Sequence, residues 1–258
     1  MNLSLFLNNE LEKPLDNIID DGGLCSILRT VACVGDSLSS GEFEAFDENG
    51  NKSYHDMFEY SWGQFMARMA GIDVYNFSRG GMTAKEYCES FAQANGFWDE
   101  DKAAKAYIIA LGVNDVYNAG QAVGSLDDVC IEDYNCNADT FAGHYAKIIQ
   151  RYKEIQPEAK FFLVTKPRDT RDAKCAEAEN MSKLLYDLAD AFSNTYVIDL
   201  RKYAPIYDEK FYDCFFLGGH MSPAGYYLTA KMIASYIDYI IRHNQNDFKK
   251  IGFIGYNG

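Results

Sequence analysis

The sequence predicts an α/β fold, a parallel sheet covered by helices on both faces. Three observations lead there. Five apolar runs bounded by turn residues recur along the chain: "TVACVG", "IDVYNF", "KAYIIALGV", "KFFLVTK" and "TYVIDL". Stretches with helical spacing lie between them, and the two long polar connections begin at the C-terminal ends of predicted strands. Short buried strands alternating with amphipathic helices pair in parallel, because each crossover helix returns the chain to the same edge and covers one face.

The first run, at 30–35, is followed by "GDSL", where a glycine and a polar residue mark a strand-to-helix turn. The connection 41–57, "GEFEAFDENGNKSYHDM", superficially resembles a calcium loop. Lys52 stands where such a loop needs Gly, however, and Phe58 where it needs the closing Glu, so a hairpin turn is expected. Helical spacing follows around 60–70, 83–95, 139–156 and 173–192, with Phe141, Tyr145, Ile148, Ile149 and Tyr152 on one face of the third. The last helix has the clearest start, with Ser222 as cap and Pro223 in the first helical position. Ile233, Ile237, Ile240 and Ile241 form its inward stripe, and it ends near Asn244. No repeat or flexible linker divides the chain, so residues 1–258 are expected to form a single domain, with 1–28 an N-terminal extension.

Charge narrows the partners. Lys plus Arg number 24 against 38 Asp plus Glu, and a net charge of −14 repels phosphate backbones and anionic membrane surfaces, which argues against nucleic acid. The N-terminal "MNLSLFLNNELEKPLDN" has no basic segment, and Asn and Glu interrupt its apolar stretch, so no export signal is read. Runs such as "AYIIALGV" are far shorter than the roughly 18 residues of a membrane span. Seven cysteines form no CxxC pair and are expected to be reduced thiols in a soluble, cytoplasmic protein. Cys130 and Cys136, flanking "IEDYN", are also expected to be free, since no His or second Cys pair lies nearby in sequence.

Taken singly, the polar residues at the strand ends have plain structural readings. Ser37 reads equally as a helix cap. "SRGG" at 78–81 and "LGVND" at 111–115 read as turns, and His220 as the tie of a loop before a capped helix. Their common placement changes this. Three of the four follow strand ends that converge on one edge of a parallel sheet, and His220 lies downstream of the last strand. Acyl transfer needs a nucleophile, a base within hydrogen-bond reach and donors aimed at the developing oxyanion, and all three roles are represented.

In these blocks the sequence resembles the SGNH, or GDSL, family of esterases and lipases. "GDSL" at 35–38 matches the serine block, and "NFSRGGMT" at 76–83 is similar to the glycine block, whose donor falls on Gly81 rather than Gly80. "GVND" at 112–115 matches the asparagine block, giving Asn114, and "HMSPAGY" at 220–226 resembles the histidine block. The resemblance spans about residues 29–243. It implies a three-layer α/β/α sandwich with a five-stranded parallel sheet of flavodoxin-like type. It also implies a carboxylic ester hydrolase with Ser37 as nucleophile, His220 as base, and an oxyanion hole of Ser37 N–H, Gly81 N–H and the Asn114 amide, with no cofactor and no metal. An α/β-hydrolase elbow fits less well, since Ser39 occupies the last glycine of G-x-S-x-G, and no G-x-G-x-x-G follows the first strand.

One position departs from the family. Its usual acid stands three residues before the histidine, where this chain has Leu217. Either a backbone carbonyl of the 217–219 loop or Asp213 is then expected to orient His220, and a binding module that lost activity is the rival reading. The polar and aromatic Tyr54, His55, Tyr117, Asp127 and Asp128 in the two long connections suit small acyl groups on a carbohydrate better than a long chain. Lipid or thioester hydrolysis is the alternative. Of the other histidines, His55 is a candidate for touching substrate, while His144 and His243 are expected in packing or surface roles. Natural substrate and oligomeric state are not legible in the sequence.

Overall fold

The computed structural model describes residue 7 and residues 9–249. Five strands, β1 (Thr30–Gly35), β4 (Asp73–Ser78), β5 (Ala106–Ala110), β6 (Lys160–Val164) and β7 (Thr195–Ile198), form one parallel sheet in the order β4-β1-β5-β6-β7. All five predicted apolar runs are there. Taken as the first to fifth sheet strands, the order is 2-1-3-4-5, the flavodoxin-like winding. Its direction reverses between β1 and β5, and a crevice opens at such a reversal.

Strand periodicity divides the core. In β1, Val31 and Cys33 join one apolar cluster while Ala32 and Val34 join the other; in β5, Ala106 and Ile108 separate from Tyr107 and Ile109 in the same way. The first cluster is closed by the helices Trp62–Ala70 and Pro223–His243, with Met66, Ile233 and Ile237 buried. The second is closed by Phe141–Ile155 and Cys175–Ala191, with Tyr145, Ile149 and Leu188 completely buried. This makes the three-layer α/β/α sandwich.

The expected helices are present. Ser222 accepts from the Gly225 N–H at 3.2 Å and Pro223 opens the last helix, which runs to His243. The stretch 84–94 is helical with a wider π turn at Tyr87–Phe91. The connection 41–57 is a hairpin of β2 (Glu42–Phe46) and β3 (Lys52–Asp56), and a second, two-residue pair joins β8 (Phe216–Leu217) to β9 (His220–Met221). Part of the N-terminal segment packs on the last helix: Leu24 N–H donates to Asp238 Oδ1 at 2.9 Å, and Glu12 pairs with Arg242 at 2.6 Å. All seven cysteines are free thiols.

Candidate active site

Whether Ser37 caps the turn has a direct answer. The cap is Asp36, whose Oδ1 accepts the Leu38 N–H at 3.1 Å; Ser37 is the first helical residue, half-buried, with its hydroxyl left for other work. Gly35 is dictated by packing, since a Cβ there would lie 2.1 Å from Ser39 Oγ. The strand therefore runs straight into a tight turn that presents residue 37 at the sheet edge.

The glycine block wraps beside it. Arg79 N–H reaches Gly35 O at 3.4 Å, and Gly81 adopts a left-handed φ of 72° with open space where a Cβ would be. Thr83 caps the next helix, accepting from Glu86 N–H at 3.0 Å. The asparagine block is stitched to both neighbours. Asn114 Nδ2 donates to Met82 O at 3.2 Å and reaches Asp36 Oδ2 at 3.4 Å, and Asp115 Oδ1 accepts the Ala84 N–H at 2.8 Å. Ser37, Gly81 and Asn114 are thus gathered by their sequence neighbours. Among the described residues, the N–H groups of Ser37 and Gly81 donate to no protein acceptor, as an oxyanion hole requires. Burial pushes the carboxyls of Asp36 and Asp115 up to about 6.

His220 meets this group across the crevice, near enough to influence Asp36 electrostatically. Both of its nitrogens face a carboxylate. Nδ1 lies 3.0 Å from Glu44 Oε1 and Nε2 lies 2.9 Å from Glu42 Oε1. Successive odd and even positions of a strand face opposite ways, so Glu42 and Glu44 project from one face of β2 while Phe43 turns back to pack on Tyr226 at 5.4 Å. Tyr54, opposite Glu44 in the hairpin, sets its ring edge-to-face on His220 at 5.7 Å. The hairpin is rooted at both ends, by Ser40 Oγ to Asp56 Oδ1, by Met57 N–H to Gly41 O at 3.0 Å, and by Tyr226 OH to Glu42 O at 2.7 Å.

Glu42 and Glu44 differ in state. Burial raises the Glu42 carboxyl above its ordinary value, against the opposing pull of His220. Burial also acts on Glu44, but Lys52 Nζ at 2.7 Å, His220 and the Gly219 N–H at 2.9 Å together hold it below the ordinary carboxylate value. The two carboxylates sit on opposite ring nitrogens and do not converge. Among the described residues no cluster of three or more His, Cys, Asp or Glu is placed to hold a metal ion.

The GDSL-like Lipase/Acylhydrolase family model matches residues 33–228, three quarters of the sequence. The chain belongs to this GDSL-like lipase/acylhydrolase family, and it is a carboxylic ester hydrolase. Its fold is shared with solved esterases. A family 3 carbohydrate esterase of Clostridium thermocellum is 14% identical, with 83% of this chain and 97% of that one covered and a TM-score of 0.54. A family two carbohydrate esterase of the same organism, in complex with cellohexaose, is 15% identical over 92% and 66% with a TM-score of 0.57. An acetyl xylan esterase is 18% identical over 81% and 99%, with a TM-score of 0.52. No curated protein matches the sequence.

Within this GDSL-like hydrolase the acid expected at the end of the chain is absent from that end. Leu217 is half exposed and pairs with His220 across the β8–β9 turn, and Asp213 lies exposed on the helix Glu209–Phe215. The group on Nδ1 is neither Asp213 nor a carbonyl of 217–219 but Glu44, more than 170 positions upstream. Two signals pointed to it: glutamates alternating in a short strand after the serine block, and the glycine pair before His220. Of the other candidates, Tyr54 alone reaches His220. His55 faces the opposite side of the hairpin and bonds Ser53 Oγ at 2.9 Å, and Tyr117 OH is taken by Asp172 at 2.9 Å. Asp128 closes a local capping box with Ser125, while Asp127 is exposed in the same turn. His144 pairs with Asp139 at 2.8 Å and His243 stacks on Tyr239 at 3.9 Å, both away from the crevice.

Proposed function

We propose that this chain is a serine esterase that removes small acyl groups from a carbohydrate or similarly polar, uncharged alcohol through an acyl-enzyme. The observation that carries this reading is the gathering of the Ser37, Gly81 and Asn114 blocks at the β1/β5 crevice, facing His220. Ser37 Oγ attacks the ester carbonyl as its proton passes to His220 Nε2, and the oxyanion draws hydrogen bonds from the N–H groups of Ser37 and Gly81 and from the Asn114 amide, which gives up its longer contact with Asp36 at 3.4 Å to do so. His220 returns the proton to the departing alkoxide. Water, deprotonated by the same nitrogen, then releases the acid and restores Ser37. Among the described residues no hydrogen bond joins Ser37 Oγ to His220, whose Nε2 lies 2.9 Å from Glu42 Oε1. Glu42 must swing away before the first proton transfer.

Electrostatics supports an uncharged alcohol. Glu42, Glu44 and Asp56 share the hairpin face that meets His220, on a chain of net charge −14, and only Lys52 offsets them there. Anionic phospholipid headgroups and phosphate-bearing thioesters would be repelled, while exposed Tyr54 offers uncharged aromatic surface beside His220. The binding-module reading rested on the missing acid, and Glu44 on Nδ1 removes its motive.

A cavity of about 120 Å³ lies behind the serine turn, bounded by Leu38, Leu111, Val113, Phe141, Val164 and Met181, but none of Ser37, Gly81, Asn114 and His220 lines it, so the acyl-chain length is a question for the assay. Hydrolysis of p-nitrophenyl acetate against butyrate and octanoate, with an acetylated oligosaccharide alongside, tests the proposal. Acetate and butyrate should exceed octanoate in kcat/KM; a preference for octanoate would instead establish a lipid-type hydrolase. Residues 1–258 are read as one catalytic domain with 1–28 its extension, acting in the cytoplasm. The contacts of Glu12 and Leu24 with the last helix support the first part, and the seven free thiols the second.

A further inference from the structure

We infer that Glu44 is the positioning residue of this hydrolase, a carboxylate delivered by the β2–β3 hairpin to do what the family's acid does from the histidine loop. The inference rests on the esterase reading above and extends it to a residue outside the four motif blocks. Glu44 has three properties that a positioning acid needs. Its Oε1 lies on Nδ1 at 3.0 Å, which leaves Nε2 as the other ring nitrogen for proton transfer. Its side chain is only 3% exposed, so the interaction is not diluted by water. Lys52 Nζ pairs with Oε2 at 2.7 Å and the Gly219 N–H donates to Oε1 at 2.9 Å, so both oxygens are held from outside the imidazole.

The histidine loop is shaped around this carboxylate. Gly218 has a left-handed φ of 70°, and a Cβ on it would lie 2.3 Å from Glu44 Oε2; a Cβ on Gly219 would lie 2.6 Å from Oε1. The "LGGH" sequence therefore leaves room for the glutamate to enter from the opposite side. Leu217 and Glu44 read together as a relocation: the acid is lost from one loop, and the space for it is opened to another.

A carboxylate on Nδ1 keeps the proton there, leaves Nε2 as the base, and stabilises the imidazolium formed when Ser37 attacks. Glu44→Gln presents an amide, which favours the wrong tautomer. The test compares the parent, Glu44→Gln, Glu44→Asp and Asp213→Asn on p-nitrophenyl acetate, with circular dichroism and melting to monitor the fold. Glu44→Gln should lose roughly 10³- to 10⁴-fold in kcat with KM little changed, as in the protease counterpart. Glu44→Asp, which keeps the charge but withdraws it by one methylene, should recover part of that and remain roughly 10- to 100-fold down. Asp213→Asn should match the parent. A folded Glu44→Gln enzyme within tenfold of the parent overturns the inference, as does a larger loss in Asp213→Asn.

A second measurement needs no change at position 44. In ¹⁵N-histidine-labelled Ser37→Ala protein above neutral pH, His220 should show a protonated Nδ1, whereas an Nε2–H tautomer overturns the inference. Failure of the esterase reading is distinguishable, because the parent would then neither hydrolyse esters nor be labelled by a fluorophosphonate, whatever the imidazole spectrum shows.

Discussion

Two long insertions leave the same edge of the sheet and put their polar groups to opposite uses. The hairpin 42–56 aims alternate side chains at His220, so that two carboxylates from β2 and a tyrosine ring from β3, all on one face of the hairpin, meet the histidine. The stretch 114–138 begins inside the site, with Asn114, and then closes on itself and on the helix Phe141–Ile155 that follows it. Gln150 Nε2 donates to Cys130 O at 2.8 Å and Ile131 O at 3.0 Å, Asn137 Nδ2 reaches Gln150 Oε1 at 2.8 Å, and Ser125 and Asp128 cap each other. Both are polar and aromatic in composition. The difference lies in backbone regularity. A strand sends every second side chain the same way, which lets a short hairpin concentrate charge on one target, whereas irregular turns must use their own polar side chains to satisfy their backbone.

The comparison can be broken or sharpened by substitution. The largest effect is expected at the residue both insertions flank: Ser37→Ala should lower ester hydrolysis by roughly 10⁴-fold or more while the melting temperature stays near that of the parent. Asp36, not Ser37, is the cap. Retained turnover, or continued labelling by a fluorophosphonate, would remove Ser37 as nucleophile. Next comes Asn114→Ala, expected to reduce kcat roughly 100- to 1000-fold with little change in KM, as for an oxyanion donor. If KM alone moved, the first residue of the second insertion would belong to substrate binding.

The hairpin's other glutamate should act in the opposite direction. Glu42 holds Nε2 in a conformer that cannot serve Ser37, so Glu42→Ala should raise kcat/KM by roughly 3- to 10-fold by enlarging the competent population. A loss of similar size would make Glu42 part of the working machinery. For the second insertion, Gln150→Ala on the helix Phe141–Ile155 that holds it should leave kcat unchanged yet cost about 1–3 kcal/mol, because two of the insertion's carbonyls lose their donor, and a thermal melt together with a single-substrate assay would show the separation. A drop in kcat would mean that the 114–138 turns support the site after all.

The smallest expected effect is on stability against pH at Asp115, which ties the asparagine block to the glycine block. Burial pushes its carboxyl up from the ordinary 3.8 to about 6, so the folded protein binds the extra proton. Its contribution to stability is therefore highest below about pH 4 and is lost as pH rises towards 6. Asp115→Asn keeps an acceptor for the Ala84 N–H and cannot ionise. Relative to the parent, its melting temperature should rise by a few degrees between pH 4 and pH 7. A difference independent of pH would show that the parent carboxyl is ionised in the folded state throughout that range.

The amino-acid sequence alone determined the sheet, the helices that cover it and the four blocks at its edge. Those depend on local periodicity and on turns whose residues are close in sequence: the alternation of β1, the isoleucine stripe from Ile233 to Ile241, Ser222 with Pro223, and Gly35 before Asp36. The same locality explains why the 41–57 connection was legible as a hairpin. What the tertiary structure decided is which carboxylate meets His220 and which nitrogen it takes. Glu44 and His220 are 176 positions apart, and no periodicity links them. Their meeting depends on how the hairpin is rooted through Asp56, Met57 and Tyr226, and on the space left by Gly218 and Gly219. The family pattern directed attention to positions 217 and 213 because an acid is usually local to its histidine. Here a contact at 3.0 Å is made across the crevice instead, since hydrogen bonding depends on distance in space and not on separation along the chain.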